Sequence, residues 1–162
     1  MLRLATPQDA NALCAIYNPY VATTTISFEE SLVSTEEMRL RIEKVLANAL
    51  PWIVIEKEET IVGYAYATPW RVRHAYRFSV EISVYLDQQY TGQGYGSRLY
   101  QHLMDQLRQS NIHSVIAGIA QPNPASVAIH EKMGMCKVAH FKEVGFKFDR
   151  WIDVGYWELQ LA

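Results

Sequence analysis

Apolar positions along this chain switch between a period of two and a period near 3.6, and the switches mark its elements. "LRLA" (2–5) predicts a short strand. Thr6 and Pro7 read as a helix cap followed by proline at the first helical position. Leu13, Ile16, Tyr17 and Val21 continue at helical spacing, with Pro19 expected to kink or stop the helix. "TTTISFEE" predicts a β-branched loop, and Ser34 and Glu37 stand in capping-box spacing at the head of the amphipathic helix "STEEMRLRIEKVLANAL". "PWIVIEKEETIVGYAYATPW" reads as two strands joined by a charged turn at Glu58–Thr60. A long alternating strand over 76–86 then sets Phe78, Val80, Ile82, Val84 and Leu86 on one face and Ser79, Glu81, Ser83 and Tyr85 on the other.

The second half continues in the same way. A glycine-rich turn leads into a helix over about 94–110, and "HSVIAGIA" is a short apolar strand. "NPASVAIHEKMG" reads as a helix with Asn123 as N-cap, Pro124 at the first position and Gly134 as C-cap. The last stretch, "MCKVAHFKEVGFKFDRWIDVGYWELQLA", predicts two strands around a turn near Asp149. The order β-α-α-β-β-β-α-β-α-β-β describes an α/β or α+β domain with a mixed sheet. No repeat, linker or low-complexity segment interrupts it, so residues 1–162 are expected to form a single domain.

Composition narrows the class. With 49% hydrophobic and 20% charged residues, the chain fits an ordinary globular protein. A net charge of -2 argues against a general nucleic-acid binder, which needs a basic excess. Ten tyrosines and four tryptophans supply amphipathic rings suited to pockets and interfaces. The two cysteines, Cys14 and Cys136, read as buried thiols in a reducing compartment, and the five histidines fall in no metal-ligand spacing, so no metal is expected. "MLRLATPQD" has no signal-peptide core and no apolar run reaches the ~18 residues of a membrane span, so a cytoplasmic location is expected.

Gly92, Gly94 and Gly96 lie between a strand and a helix. Glycines there let the backbone approach a ligand with its N–H groups outward, and the helix N-terminus adds unpaired donors and a positive dipole end. The result suits a phosphate or diphosphate, although a tight turn needing positive φ has the same composition. The G-x-x-x-x-G-K-[ST] loop is absent, and Ser97 stands where a dinucleotide fingerprint would place its third glycine.

"QYTGQGYGSRL" resembles the Q/R-x-x-G-x-G/A motif of the GCN5-related N-acetyltransferases, with Gln89, Gly92 and Gly94 in the motif positions. "FSVEISVYL", "GYGSRLYQHL", "QPNPASVAIHEKMG", "VGFKFDRWIDVGYWELQL", "AIYNPYV" and "PWRVRHAYR" extend the resemblance over almost the whole chain, to the phosphinothricin and methionine sulfoximine N-acetyltransferases. The resemblance implies a mixed, mostly antiparallel seven-stranded sheet, splayed between strands four and five, with about four helices and acetyl-CoA in the opening. It implies that backbone groups of Val84, Tyr85 and Leu86 hold the pantetheine arm. The turn from Gln89 through Gly92, Gln93, Gly94, Tyr95 and Gly96 to Ser97 would hold the diphosphate, and Asn123 and Ser126 would approach from the next helix. It also implies a homodimer, with the aromatic hairpin carrying Phe146, Lys147, Phe148 and Trp151 near the neighbour's site, though the same residues could be ordinary strand packing.

Acetyl transfer to an amine requires loss of the ammonium proton, polarisation of the thioester carbonyl and departure of a thiolate. A carboxylate can take the proton directly or through water. Glu81, on the polar side of the strand leading to the glycine turn, matches the family's glutamate base; by position alone it could equally be a solvated strand carboxylate. A backbone N–H of 84–86 would serve the carbonyl oxygen. The thiolate, with a pKa near ~8.5, leaves with or without an acid, and His130 or Tyr85 are the candidates for one. A lone histidine on an apolar helix is also a common packed residue. "RVRHAYR" supplies Arg71, Arg73 and Arg77, whose guanidinium groups suit a carboxylate or phosphinate; Arg73 is the expected partner, with Phe28 and Tyr76 as pocket walls and Glu81 and His130 also facing substrate. Two alternatives stand beside this reading: an acceptor that is a protein N-terminus or polyamine, and a coenzyme-binding module without catalysis.

Overall fold

Alternation along the strands resolves into one sheet in the computed structural model, which describes residues 1–161. Its strands are β1 (Leu2–Leu4), β2 (Trp52–Lys57), β3 (Thr60–Pro69), β4 (Ser79–Leu86), β5 (Ser114–Ala120), β6 (Cys136–Lys147) and β7 (Arg150–Gln160). They lie in the order β1-β2-β3-β4-β5-β7-β6. Every neighbouring pair is antiparallel except β4–β5. Four α-helices flank the sheet: α1 (Ala10–Thr23), α2 (Thr35–Ala47), α3 (Tyr95–Arg108) and α4 (Pro124–Lys132). The mixed seven-stranded sheet and four helices are those expected.

The two faces of the sheet bury separate cores. Ile53, Ile55, Ala65, Val80 and Ile82 meet Leu99, Leu103 and Leu107 of α3 on one side. Trp52, Val54 and Tyr64 meet Leu13, Val21 and Ile42 of α1 and α2 on the other. The β4 alternation follows this division, so Glu81, Ser83 and Tyr85 face the α1 side while Val80 and Ile82 enter the α3 core.

Local chemistry explains the ends of the elements. Ser34 caps α2 by accepting the Glu37 N–H at 3.0 Å. The β2–β3 and β6–β7 turns are two-residue connections with left-handed backbone at Glu58 and Glu59 (φ 49° and 65°) and at Phe148 and Asp149 (φ 53° and 55°). That geometry matches the strand twist even without the Asn-Gly pair that favours it.

Four expectations need correction. The strand expected over 76–86 starts at Ser79, because His74–Tyr76 form a 3₁₀ turn and the β3–β4 ladder ends near Pro69, which has no N–H to donate. Pro19 does not stop α1, which runs on to Thr23; burial of Tyr20 and Val21 outweighs the lost hydrogen bond. Pro7 opens a 3₁₀ turn (Pro7–Asp9) ahead of α1 rather than the α-helix itself. Cys136 is exposed, since it begins the edge strand β6; Cys14 is buried as expected, and both are free thiols.

Candidate active site

The site begins where the parallel pairing of β4 and β5 stops. Only Ser79↔Ser114, Val80↔Val115 and Glu81↔Ile116 are paired, after which β5 continues against β7 alone. The Asp87 N–H bonds Val62 on β3 at 2.9 Å. By strand alternation the main chain of Tyr85 also faces β3, opposite Tyr64, while the N–H and C=O groups of Val84 and Leu86 face the gap. Of the three residues expected to offer their backbone, Val84 and Leu86 turn theirs to the gap and Tyr85 turns its own to β3. The Leu86 carbonyl accepts the Tyr20 hydroxyl at 2.5 Å.

The three glycines are of two kinds. Gly92 and Gly94 have φ of 73° and 86°, the left-handed region where a Cβ is penalised, and open space surrounds the position a Cβ would take. Gly94 caps α3. Gly96 has ordinary helical backbone; a Cβ there would lie 3.3 Å from Ile129 Cδ1 and from Leu86 Cδ1, close contacts with the ends of two side chains. The first N–H bonded within α3 is that of Arg98, to the Gly94 carbonyl at 3.1 Å. The N–H groups of Tyr95, Gly96 and Ser97 precede it, have no intrahelical partner, and no acidic side chain occupies the first turn.

A cavity of about 470 Å³ joins these features. Val84, Tyr85 and Leu86 form one wall, Gly92, Gly94, Gly96 and Ser97 the floor, and Asn123, Ser126 and His130 the α4 wall. Asn123 accepts the Ser126 N–H at 3.2 Å and so fixes the start of α4. Tyr20, Ile26, Thr91 and Lys132 also line it and were not singled out from the sequence. Gln89, Gln93 and Tyr95 lie outside the lining: the Gln93 amide bonds the Gln89 carbonyl at 3.2 Å, and Tyr95 packs edge-on to Tyr90.

His130 is 8% exposed. Its Nδ1 donates to the Ser126 carbonyl at 2.6 Å and its ring meets Tyr100 edge-on. Burial lowers its pKa, the Ser126 contact only partly opposing this, so the ring is neutral and presents Nε2 as an acceptor. Tyr85 packs edge-on against Tyr17 and beside Tyr20 and Tyr64; burial first, then the neighbouring Tyr66 and Tyr17, hold its pKa well above that of a free tyrosine.

Glu81 occupies a second region, outside the lining of the cavity. Burial raises its pKa, and the Arg71 charge pulls it partly back. Its carboxylate makes no hydrogen bond or ion pair among the described residues. It lies beside Gly118, where a Cβ would stand 3.4 Å from Glu81 Oε1 and 3.0 Å from the Tyr156 ring. Burial and the Glu81 charge raise the Tyr156 pKa. Tyr156 in turn meets Trp70, and Arg71 stacks on Trp70 at 4.4 Å. Arg71 is thus the arginine whose charge acts on Glu81. Arg73 is exposed and makes no side-chain hydrogen bond among the described residues, and Tyr76 stands on the same exposed loop. Phe28, 42% exposed, packs on Gly145 of β6. Tyr156 and Gly118 could not have been found from the sequence, since only the β5–β7 register sets them opposite each other.

Residues 2–155 match the model of the acetyltransferase (GNAT) domain family. The chain is 37% identical over 157 residues to a phosphinothricin N-acetyltransferase of Streptomyces viridochromogenes, covering 97% of this chain and 85% of the relative. It is 33% identical to an L-methionine sulfoximine/L-methionine sulfone acetyltransferase of Salmonella typhimurium, covering 99% and 94%. Among solved structures, a phosphinothricin acetyltransferase from Sinorhizobium meliloti in complex with acetyl-CoA superposes with a TM-score of 0.96 at 33% identity, covering all of this chain and 88% of that one. A ribosomal-protein-alanine N-acetyltransferase from Brucella melitensis superposes with a TM-score of 0.97 at 37% identity, covering 99% of each.

Proposed function

The chain belongs to the GNAT acetyltransferases, and from that membership we propose that it transfers the acetyl group of acetyl-CoA to the amino group of a small amino-acid-like acceptor of the phosphinothricin or methionine sulfoximine type. The observation that carries the reading is the early end of β4–β5 pairing beside a glycine turn with free N–H groups. Val84 and Leu86 would pair with the amides of the pantetheine arm as an added strand does. The N–H groups from Gly92 to Ser97, with the α3 dipole, would take the diphosphate, and Lys132 would add a positive charge at the cavity wall.

Glu81 is the proposed base. A carboxylate buried and left without a hydrogen-bonding partner binds a proton more readily than one in water, as removal of an ammonium proton requires. The deprotonated amine then attacks the thioester carbonyl carbon directly: the N–C bond forms to give a tetrahedral intermediate, its collapse breaks the C–S bond with the electron pair leaving on sulfur, and the second proton on nitrogen passes through water or a side chain to the departing thiolate. Arg71 and Arg73 would hold the acceptor's carboxylate or phosphinate, with Phe28 and Tyr76 beside it. Tyr85, held protonated, is the group that could return a proton to the thiolate; His130 directs its one N–H to Ser126 and serves the cavity wall.

Two coarser features belong to the same reading. The β6–β7 hairpin exposes Val138, Phe141, Val144, Phe146, Phe148 and Trp151, the last at 63%, an apolar face that a second copy of the chain would cover as a homodimer. No helix among the described residues is long and apolar enough to cross a membrane, and the two free thiols suit a reducing, cytoplasmic setting.

Likeness to a ribosomal-protein-alanine acetyltransferase favours a second acceptor class, a protein N-terminus. Steady-state thiol release with phosphinothricin, methionine sulfoximine and a peptide beginning in alanine separates the two. The reading expects kcat/KM for at least one amino-acid analogue to exceed that of the peptide by ~10-fold or more. Turnover of the peptide alone would transfer the assignment to protein N-termini, and coenzyme binding without turnover of any acceptor would make the chain a binding module.

A further inference from the structure

Lys147 is 2% exposed, although it lies on the edge strand and on a largely exposed hairpin. A buried ammonium is costly unless each of its protons finds an acceptor. Here all three do: Lys147 Nζ donates to the carbonyls of Val21 at 2.8 Å, Thr24 at 2.8 Å and Ser27 at 2.7 Å. Val21 and Thr24 stand at the C-terminus of α1, where carbonyls lack intrahelical partners and the dipole end is negative. Ser27 lies three residues further on, so one cation gathers the end of the helix and the loop that leaves it.

The same strand grips that loop a second time. Gly145, two residues earlier and on the same face of β6, lies beneath the Phe28 ring: a Cβ there would stand 2.4 Å from Phe28 Cε2 and 2.6 Å from Cζ. The loop held in this way reaches the cavity through Ile26, beside the glycine turn. On the small-acceptor reading, Phe28 of the same loop is the acceptor wall. Glu29, the next residue, accepts hydrogen bonds from Tyr17 and from Arg41 at 2.7 Å and 2.9 Å, which fixes the far end of the loop to α1 and α2.

We infer that Lys147 is a positioning residue for acceptor selection: by tying β6 to the carbonyls of Val21, Thr24 and Ser27, it holds Phe28 at the acceptor site. The inference rests on the small-acceptor reading for its kinetic consequence, but the tether itself is independent of which acceptor is used.

The test uses the full chain and phosphinothricin or methionine sulfoximine, whichever the parent protein turns over. Lys147→Met keeps the length and removes the three donors. Its acceptor KM should rise roughly 10-fold or more, because a wall displaced by about an ångström misplaces the amine, while acetyl-CoA affinity by calorimetry stays within about 3-fold. In a Phe28→Leu background the same substitution should change acceptor KM by about 2-fold or less, since the two act through one contact. General destabilisation would not produce that coupling. If Lys147→Met is insoluble, Lys147→Gln replaces it in the same cycle, since its shorter amide cannot donate to all three carbonyls. Unchanged acceptor KM in an active variant, or equal effects with and without Phe28, overturns the inference. If the parent turns over neither acceptor, the proposed function fails, and hydrogen exchange decides the tether alone: amides of 24–29 should exchange ~10-fold faster in the variant, and unaltered protection refutes it.

Discussion

Gly94→Ala tests the glycine turn directly. At φ 86° an alanine pays the left-handed penalty, about 1–2 kcal/mol. No protein atom lies within 4 Å of the added Cβ, so no clash adds to this and no packing offsets it. For a chain of this size each kcal/mol lowers Tm by about 2–4 °C, which predicts a fall of roughly 2–8 °C. Gly96→Ala is the control. Its backbone is already helical, and replacing glycine by alanine there is worth ~0.5–1 kcal/mol, which offsets the two 3.3 Å contacts with the mobile ends of Ile129 and Leu86. Thermal unfolding followed by circular dichroism reads both variants, and calorimetry reads acetyl-CoA binding. Gly94→Ala should also weaken acetyl-CoA by ~10-fold or more, because its Cβ points into the space where a diphosphate would meet the α3 N–H groups. A Gly94→Ala protein that melts within about 1 °C of the parent and binds acetyl-CoA equally well would refute the reasoning, as would a Gly96→Ala protein that loses as much stability.

Arg71→Ala removes the one charge that lowers the Glu81 pKa, so the acid limb of kcat/KM should move to higher pH; a limb that stays in place, or moves down, would separate Arg71 from the base. Trp151→Asp on the exposed hairpin should shift the protein to half its mass by sedimentation equilibrium if a second copy covers that face, and an unchanged dimer would place the interface elsewhere. Leu103→Ala opens a cavity in the fully buried α3 core and should cost about 2–5 kcal/mol in urea unfolding without altering acceptor selection.

The division between what the sequence showed and what it hid follows the range of the interactions. The alternation of 78–86 named the two faces of β4, and the cap residues Ser34 and Asn123 marked helix starts, because each signal lies within a few residues of its effect. The end of β4–β5 pairing and the positive φ of Gly92 and Gly94 agree with the expected opening and turn. Longer-range choices were not legible. Pro19 inside α1 is tolerated for the sake of tertiary burial, and the 3₁₀ turn at 74–76 depends on where β3 ends. Among three nearby arginines, only the folded loop brings Arg71 to Glu81. Lys147 looked like part of a polar-aromatic hairpin; its three acceptors lie more than a hundred residues away in the chain, beyond any local pattern.

On the proposed function, the opened strand pair would hold acetyl-CoA and the buried Glu81 carboxylate would free the acceptor's amine. Glu81→Gln separates these halves, and the decisive measurement is its pH–rate profile beside its acetyl-CoA affinity. The account predicts coenzyme binding within about 2-fold of the parent, kcat/KM lower by ~100-fold or more, and loss of the acid limb that Glu81 gives the parent. Parent-like turnover across pH in Glu81→Gln, or loss of acetyl-CoA binding along with activity, would contradict it.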